Sequence, residues 1–522
     1  MEKRKLIHLL LALTLTIFGG VSVKDVKAQQ SNVSKWPKGV TYEIFIQSFA
    51  DSNGDGIGDI KGATAKLDYL QNLGVEAVWL MPINPSPSYH KYDVTDYYGI
   101  HLDYGTMDDF KQFISEAHKR NIKVVIDMVL NHSSSEHPWF KEALADENSP
   151  YREYYVWTHK NDPQAQREGK TTGADSYNTQ HWHKVDGSDY LYYGYFYGGM
   201  PDLNYDSPKL REEVFKIGQF WFSEVGVDGF RLDAARHIYP DERATDNHNW
   251  WIYFLSEMKK ANKDVYLVGE VWAPAEIVGP YLKGLPALFN FDMGFAITKA
   301  VNEEDAGDLV ANHKKIREYY QNINPDYVDA TFLTNHDQNR IMSEVNGDMN
   351  KAKMAAALLL TLPGSPYLYY GEEIGMRGKK PDELIREPFL WDVKAKDKIR
   401  TTWMQPRYST DESVPPLAVQ MKDKNSIYNH YKSLLQLRNK SQALTYGELV
   451  PLELNTKGLS AFERASEKQS LLVLHNLSKD PISVKLPQQL SGYKKVYFKN
   501  KAAKLNKGTV SIPAYSTVVL EK

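Results

Sequence analysis

TMDDFKQFISEAHKRNIKVVIDMV, residues 106–129, carries a helix start, an amphipathic helix and a strand in direct succession. Thr106 and Asp109 have the spacing of a capping box, and Phe110, Phe113, Ile114 and Ala117 fall on one helical face. The β-branched run IKVVIDMV follows without a linker. A helix that feeds straight into an apolar strand is the unit from which parallel sheets are built. The phrase recurs around residues 207–234: Ser207 reads as an N-cap and Pro208 as N1. Val214, Ile217, Gly218 and Trp221 then share a face before VDGFRLDA.

Eight candidate strands can be read in this way: VTYEIFIQSF, EAVWLMP, KVVIDMV, VDGFRLDA, VYLVGEV, ALFNFDM, DATFLTN and SPYLYYG. Strands alternating with helices predict an α/β fold, and eight of them predict a (β/α)8 TIM barrel, with an open doubly wound sheet as the alternative. The stretch 132–199 after the third strand is polar, aromatic and mostly without helical period, and reads as an inserted domain. From Leu459 onward short alternating runs (LSAFERA, SLLVLHNL, KKVYFKN, TVSIPAY, TVVLEK) predict a C-terminal antiparallel β-sandwich. The expected division is barrel 36–131, insertion 132–199, barrel 200–425 and β domain 426–522.

The 522 residues are 42% hydrophobic and 25% charged with net charge −3, a globular composition that gives no reason to expect nucleic acid. The N-terminus has a basic start, an apolar run LIHLLLALTLTIF and Val26-Lys27-Ala28, the grammar of a secretory signal over residues 1–28. That predicts an extracellular protein with no membrane anchor after cleavage; separately, a monomer is expected. Cysteine is absent, so neither disulfides nor a lipid-modified cysteine is available. The 34 tyrosines and 11 tryptophans cluster in segments such as DYLYYGYFYGG, suited to flat ligands such as sugar rings.

DSNGDGIGDI, residues 51–60, has the ligand alternation of an EF-hand loop: Asp51, Asn53, Asp55, the Ile57 carbonyl and Asp59, with Gly56 at the turn. Position 12 is Gly62, which cannot ligate, and the preceding TYEIFIQSFA reads as a strand rather than a helix. A calcium sensor is therefore disfavoured, while a structural Ca²⁺ site remains the expectation.

In a barrel, chemistry belongs at the C-terminal strand ends. Asp233 ends the fourth strand, Glu270 the fifth, and Asn335-His336-Asp337 the seventh. Alternation puts Arg231 on the same face as Asp233, available to hold it ionised. Glu270 follows a hydrophobic run and precedes Trp272, and desolvation would favour the protonated form that a general acid needs. An ionised carboxylate opposite a protonated one is the equipment of glycoside hydrolysis. No P-loop, no H-E-x-x-H and no cysteine nucleophile competes.

DMVLNH (127–132), GFRLDAARH (229–237), GEVW (269–272) and FLTNHD (332–337) resemble, in order, the four signature regions of the α-amylase family of glycoside hydrolases, and MPDLN (200–204) resembles the fifth. The similarity is to secreted bacterial members between the oligo-1,6-glucosidase and neopullulanase types. It implies Asp233 as nucleophile, Glu270 as acid/base and Asp337 as a third acid on the distorted sugar. His132, Arg231 and His336 would contact the sugar at the cleavage site, Tyr92 would stack beneath it, and Asp382 and Arg386 would bind sugars on the non-reducing side. Ala234 stands where oligo-1,6-glucosidases carry Val, which implies α-1,4-linked glucans: starch and maltooligosaccharides. The resemblance also places an ion at Asp51–Asp59, and a second calcium at Asn131 and the carbonyl of His237. The implied activity is a retaining endo-acting α-amylase. An exo-acting α-glucosidase or a glucan transferase is the alternative, and a non-catalytic glycan-binding relative is disfavoured because all three acids are present.

Overall fold

A computed structural model of the chain describes residues 36–163 and 180–522. The expected signal sequence, 1–28, and part of the insertion, 164–179, lie outside the described residues.

Eight parallel strands close into a barrel. In chain order they are β1 (Thr41–Ile44), β2 (Ala77–Leu80), β3 (Lys123–Met128), β7 (Gly229–Leu232), β8 (Tyr266–Gly269), β9 (Ala287–Asn290), β10 (Val328–Phe332) and β11 (Ser365–Tyr369). Each pairs with its neighbour in the chain, and β1 closes the ring by pairing Tyr42 with Leu368 of β11 and with Val78 of β2. Closure rules out the open sheet. Inward-pointing side chains fill the interior as one cluster that includes Trp79, Val125, Val268, Phe289, Ala330, Phe332 and Tyr367. The barrel is thus a packed core whose chemistry is left to its rim.

The helix Met107–Lys119 has the capping box of Thr106 and Asp109, and buries Phe110, Phe113, Ile114 and Ala117. Ser207 caps Pro208–Phe220 through the N–H of Leu210, and Val214, Ile217 and Gly218 are buried with Leu210 and Phe215. One expected strand is shorter than its composition suggests: VTYEIFIQSF is extended only over Thr41–Ile44, and Ile46–Phe49 form a buried helical turn. Tertiary contacts override the β-propensity of Ile46 and Phe49 there. The turn carries the main chain into the 51–59 loop. At Gly58 a Cβ would lie 1.9 Å from the carbonyl of Ile46, so only glycine allows this approach.

Between β3 and β7 the insertion contains the helix Pro138–Ala145 and a small antiparallel sheet of β4 (Trp157–His159), β5 (Trp182–Lys184) and β6 (Tyr190–Tyr193), ordered β4-β6-β5. The helix Ile427–Lys440, placed by the sequence in the terminal domain, packs on Met349–Thr361 and completes the helical ring. The boundary therefore falls later, before β12 (Glu448–Pro451). From there β12, β13 (Leu459–Ala465), β14 (Ser470–Asn476), β15 (Ile482–Lys485), β16 (Lys495–Lys499), β17 (Lys504–Asn506), β18 (Thr509–Ile512) and β19 (Ser516–Glu521) follow. They form a five-stranded and a three-stranded sheet that share a core of Leu472, Leu474, Val484, Val510, Ile512, Val518 and Leu520.

Two buried arginines close the end of one barrel helix, and one of them, Arg464, reaches it from the sandwich. Arg438 donates to the carbonyls of Leu360 and Leu362, at 3.0 Å each, and Arg464 on β13 donates to Thr361 at 2.6 Å and to Leu444 at 2.9 Å. Both complement the carbonyl end of the helix Met349–Thr361, where a positive charge is favourable.

Candidate active site

Asp233 follows the last residue of β7, and Glu270 the last of β8; Asp337 lies on the loop after β10. All three line one cavity of about 600 Å³ at the C-terminal rim, together with Tyr92, His132, Asp382 and Arg386. Arg231 and His336 are buried beneath these side chains.

Arg231 organises the floor. One terminal nitrogen donates to Asp233 Oδ1 at 2.6 Å and to both oxygens of Asp127, at 2.9 and 3.0 Å, while the other reaches Glu270 Oε2 at 2.9 Å. A single guanidinium thus bridges the two carboxylates, a geometry that its planar fork of donors favours. Burial, followed by the negative charges of Asp233 and Asp337, raises Glu270 above the usual glutamate range against the pull of Arg231. Glu270 also accepts from the N–H of Ala234 at 3.1 Å. Ala234 itself has φ 45°, a left-handed conformation uncommon outside glycine, which turns the chain sharply after Asp233.

Asp337 is held well below the usual carboxylate range. Burial acts against its charge, but the His336 imidazolium at 3.0 Å and Arg386 at 2.9 Å outweigh it. Arg386 also donates to Asp382 at 3.2 Å, so the two residues expected to bind sugar together are paired. Tyr92 stacks on His336 with ring centroids 5.5 Å apart and donates to Asp127 at 3.1 Å. Burial lowers the pKa of His132, whose Nε2 donates to the Tyr92 carbonyl at 3.2 Å. At the rim Tyr89 stacks on Trp403, with centroids 5.4 Å apart.

Sequence reasoning missed two acids here. Asp127, fully buried on β3, binds Trp79 Nε1 at 3.3 Å as well as Tyr92 and Arg231. Glu43 on β1 binds His336 at 2.6 Å. The signal available was a lone acid inside an apolar strand, VVIDMV and VTYEIFI.

The chain from 43 to 447 matches the family model described as "Alpha amylase, catalytic domain", and 459–519 matches "Alpha-amylase SusG C-terminal domain". This chain belongs to the α-amylase family. "Alpha-amylase 3" of Dictyoglomus thermophilum is 45% identical over 483 residues, covering 92% of this chain and 93% of that protein. The crystal structure of an α-amylase from H. orenii superimposes with TM-score 0.86 at 43% identity, covering 93% of this chain and 99% of the other. The family is not uniform in activity: a 4-α-glucanotransferase of Thermotoga neapolitana is 35% identical over 84% of this chain and 96% of its own length. The protein is a glycoside hydrolase of α-glucans.

Two places suit a hard cation. In the loop after β1, Asp51 accepts from the N–H groups of Asn53, Gly54 and Gly56 at 3.0, 2.7 and 2.8 Å. Asp55 accepts from Ile57 at 2.8 Å, and Asp59 from Ser52 and Gly62 at 2.8 and 2.7 Å. Gly54 and Gly56 adopt left-handed φ of 85° and 94°, which folds these oxygen donors onto one turn. Among the described residues no three His, Asp or Glu side chains form a ready-made cage, so an ion would draw on the Asn53 amide and the Ile57 carbonyl too. An all-oxygen set of this kind fits Ca²⁺. At the second place, Asn131 Oδ1 is buried without a hydrogen-bond partner, and the Asn131 amide binds the carboxyl of Asp202, which burial pushes up to about 7. His237 closes the rim of the same groove as Asp202. Asp202, in MPDLN, puts a carboxyl beside Asn131 that the sequence reading did not name.

Proposed function

We propose that this chain is a secreted, retaining, endo-acting α-amylase that cleaves α-1,4-glucosidic bonds in starch and maltooligosaccharides. The observation that carries the reading is the Arg231 fork, which binds Asp233 at 2.6 Å and Glu270 at 2.9 Å beneath one cavity. It places both carboxylates within the reach of one guanidinium, consistent with the separation of about 5 to 5.5 Å that retention requires.

The Asp233 oxygen that Arg231 does not hold attacks the anomeric carbon as Glu270, kept protonated by its surroundings, gives its proton to the departing glycosidic oxygen. Water then adds to the glycosyl-enzyme as Glu270 takes a proton back, and the Asp233 ester bond breaks with retention. Asp337, ionised and clamped by His336 and Arg386, offers hydrogen bonds that strengthen as the ring flattens toward the oxocarbenium ion. His132 and Tyr92 line the cavity to hold that sugar, and Asp382 with Arg386 holds the next one on the non-reducing side.

Calcium at Asp51, Asn53, Asp55, Ile57 and Asp59 is part of the proposal as a structural ion; Asn131, Asp202 and the His237 carbonyl are proposed as a second position. A bound ion supplies charge that fixes the loop, with no role in the chemical step. Export rests on the basic and apolar grammar of residues 1–28.

A time course on soluble starch tests the whole reading. Early maltooligosaccharides of mixed length support endo attack. Glucose alone from the outset, or longer chains built from maltotriose without net hydrolysis, would replace it with the exo-acting or transferase reading.

A further inference from the structure

Glu43 sits on β1, buried, and does not line the cavity. Its Oε1 accepts from Nδ1 of His336 at 2.6 Å. On the opposite edge of the ring, Nε2 is shared between Asp337 Oδ2 at 3.0 Å and the Tyr92 hydroxyl at 2.6 Å. A carboxylate therefore stands at each nitrogen of one buried imidazole.

The charged and titratable groups around this ring come from every element packed against it. Asp337 belongs to the same loop, Glu43 to β1 and Tyr92 to the loop after β2; Asp127 on β3 adds negative charge through Tyr92. Trp79 on β2 presents its ring at 5.5 Å, and Arg386, from the loop after β11, donates to the His336 carbonyl at 3.0 Å. Burial alone would discharge the ring. Asp337 and Glu43 together push it up to about 10 instead.

A neutral acceptor in place of Glu43 would fix the same N–H at Nδ1, but with Asp337 alone to hold the charge the ring would lose its proton at lower pH and leave Nε2 a bare lone pair facing Asp337. We propose that Glu43 is a positioning residue for the hydrolytic step: its charge keeps His336 an imidazolium, so that Nε2 always donates to Asp337 and Tyr92 and Asp337 stays ionised and aimed at the sugar. This rests on the reading of Asp337 as a sugar-binding acid.

Glu43→Gln is the test, because the amide keeps the shape and the acceptor while removing the charge. In the full-length enzyme labelled with [15N]histidine, His336 is expected to remain doubly protonated to about pH 9 in the parent. In the variant it is expected to titrate about one to three units lower, the shift that one nearby opposite charge supplies. With maltoheptaose as substrate, the alkaline limb of kcat/KM moves to lower pH and steepens, since a second proton loss now inactivates the site. The acid limb stays in place, because His336 is charged there in both proteins. Glu43→Asp, which withdraws the charge by one methylene, gives a smaller shift in the same direction and serves if Glu43→Gln does not fold. A lowered melting temperature with the His336 titration and the alkaline limb unmoved would make Glu43 merely structural and overturn the proposal. The NMR titration needs no substrate, so a parent enzyme that fails to cut α-glucans would defeat the functional reading separately.

Discussion

The backbone N–H of Ala234 donates to Oε2 of Glu270 at 3.1 Å, so the residue that follows Asp233 also steadies the acid across the cleft. Ala234 does this at φ 45°, where a β-branched side chain is strained by about 1–3 kcal/mol. Ala234→Val is expected to lower kcat/KM on maltoheptaose about tenfold, roughly 1.4 kcal/mol of transition-state stabilisation, and to lower the melting temperature. Steady-state kinetics and calorimetry check this; unchanged values for both would show that the turn tolerates branching and that Glu270 is held by Arg231 alone.

Asp127 balances the charge of Arg231 from below. Replacing it with Asn leaves the guanidinium free to act more strongly on Glu270, which lowers the pKa of that acid. A general acid works only below its pKa, so the alkaline limb of the pH profile should move to lower pH. The rate at the optimum should fall by about 100-fold or more, since loss of one charge from a buried network also disturbs its geometry. A pH–rate profile of Asp127→Asn that coincides with the parent would remove Asp127 from the machinery.

Much of this was readable from local chemistry. Caps at Thr106 and Ser207 and the runs of β-branched residues mark the barrel units because helix ends and buried strands are decided by neighbours in the chain. Asp233 and Glu270 stand out because each ends an apolar strand. Asp127 and Glu43 were passed over for a different reason: their partners are Arg231, 104 residues away, and His336, 293 residues away. The first pair meets because β3 and β7 lie side by side across the insertion, with Asp127 in register with Arg231, and the second because the ring closes β1 against β11; strand pairing and register are properties that no window of sequence contains. Ile46–Phe49 illustrates the converse, a segment of strand-like composition bent into a helical turn by what surrounds it.

Glu372 is buried against the helix Ile427–Lys440, where its Oε1 accepts from Tyr431 at 2.8 Å while Oε2 lacks a partner among the described residues. Burial pushes this carboxyl up to about 8. The folded protein thus keeps a proton that the unfolded chain releases near pH 4.5, so stability from this group is complete below that value and declines as pH rises through about 8. Glu372→Gln removes the decline. Its melting temperature should exceed that of the parent at pH 8 and approach it near pH 4.5; a variant less stable at pH 8 would mean that the carboxylate is ionised in the fold.

Asp55 is exposed, so its removal should cost little in the metal-free protein. With Ca²⁺ present the parent should gain stability by mass action, and Asp55→Ala should lose most of that gain. Differential scanning calorimetry with EDTA and with added Ca²⁺ reads both. Equal melting temperatures for the parent under the two conditions would argue against an ion here.

Arg464 is paired with carbonyls, and replacing it with Met strands those of Thr361 and Leu444 in a buried seam. The expected loss is about 2–4 kcal/mol, read from urea unfolding of the full chain. A loss confined to the terminal sandwich, with the barrel unfolding at its former midpoint, would show that the arginine serves only its own sheet.

That same arginine also bears on when the enzyme becomes an enzyme. The matched catalytic domain ends at residue 447, yet the carbonyl end of the helix Met349–Thr361 waits for a donor at residue 464. During synthesis from the N-terminus the ring of strands can be complete while one of its helices still lacks its terminal hydrogen bond. β13, which contributes no residue to the cavity, supplies that bond, and a chain cut short before it would leave the ribosome with every acid in place and an unfinished barrel.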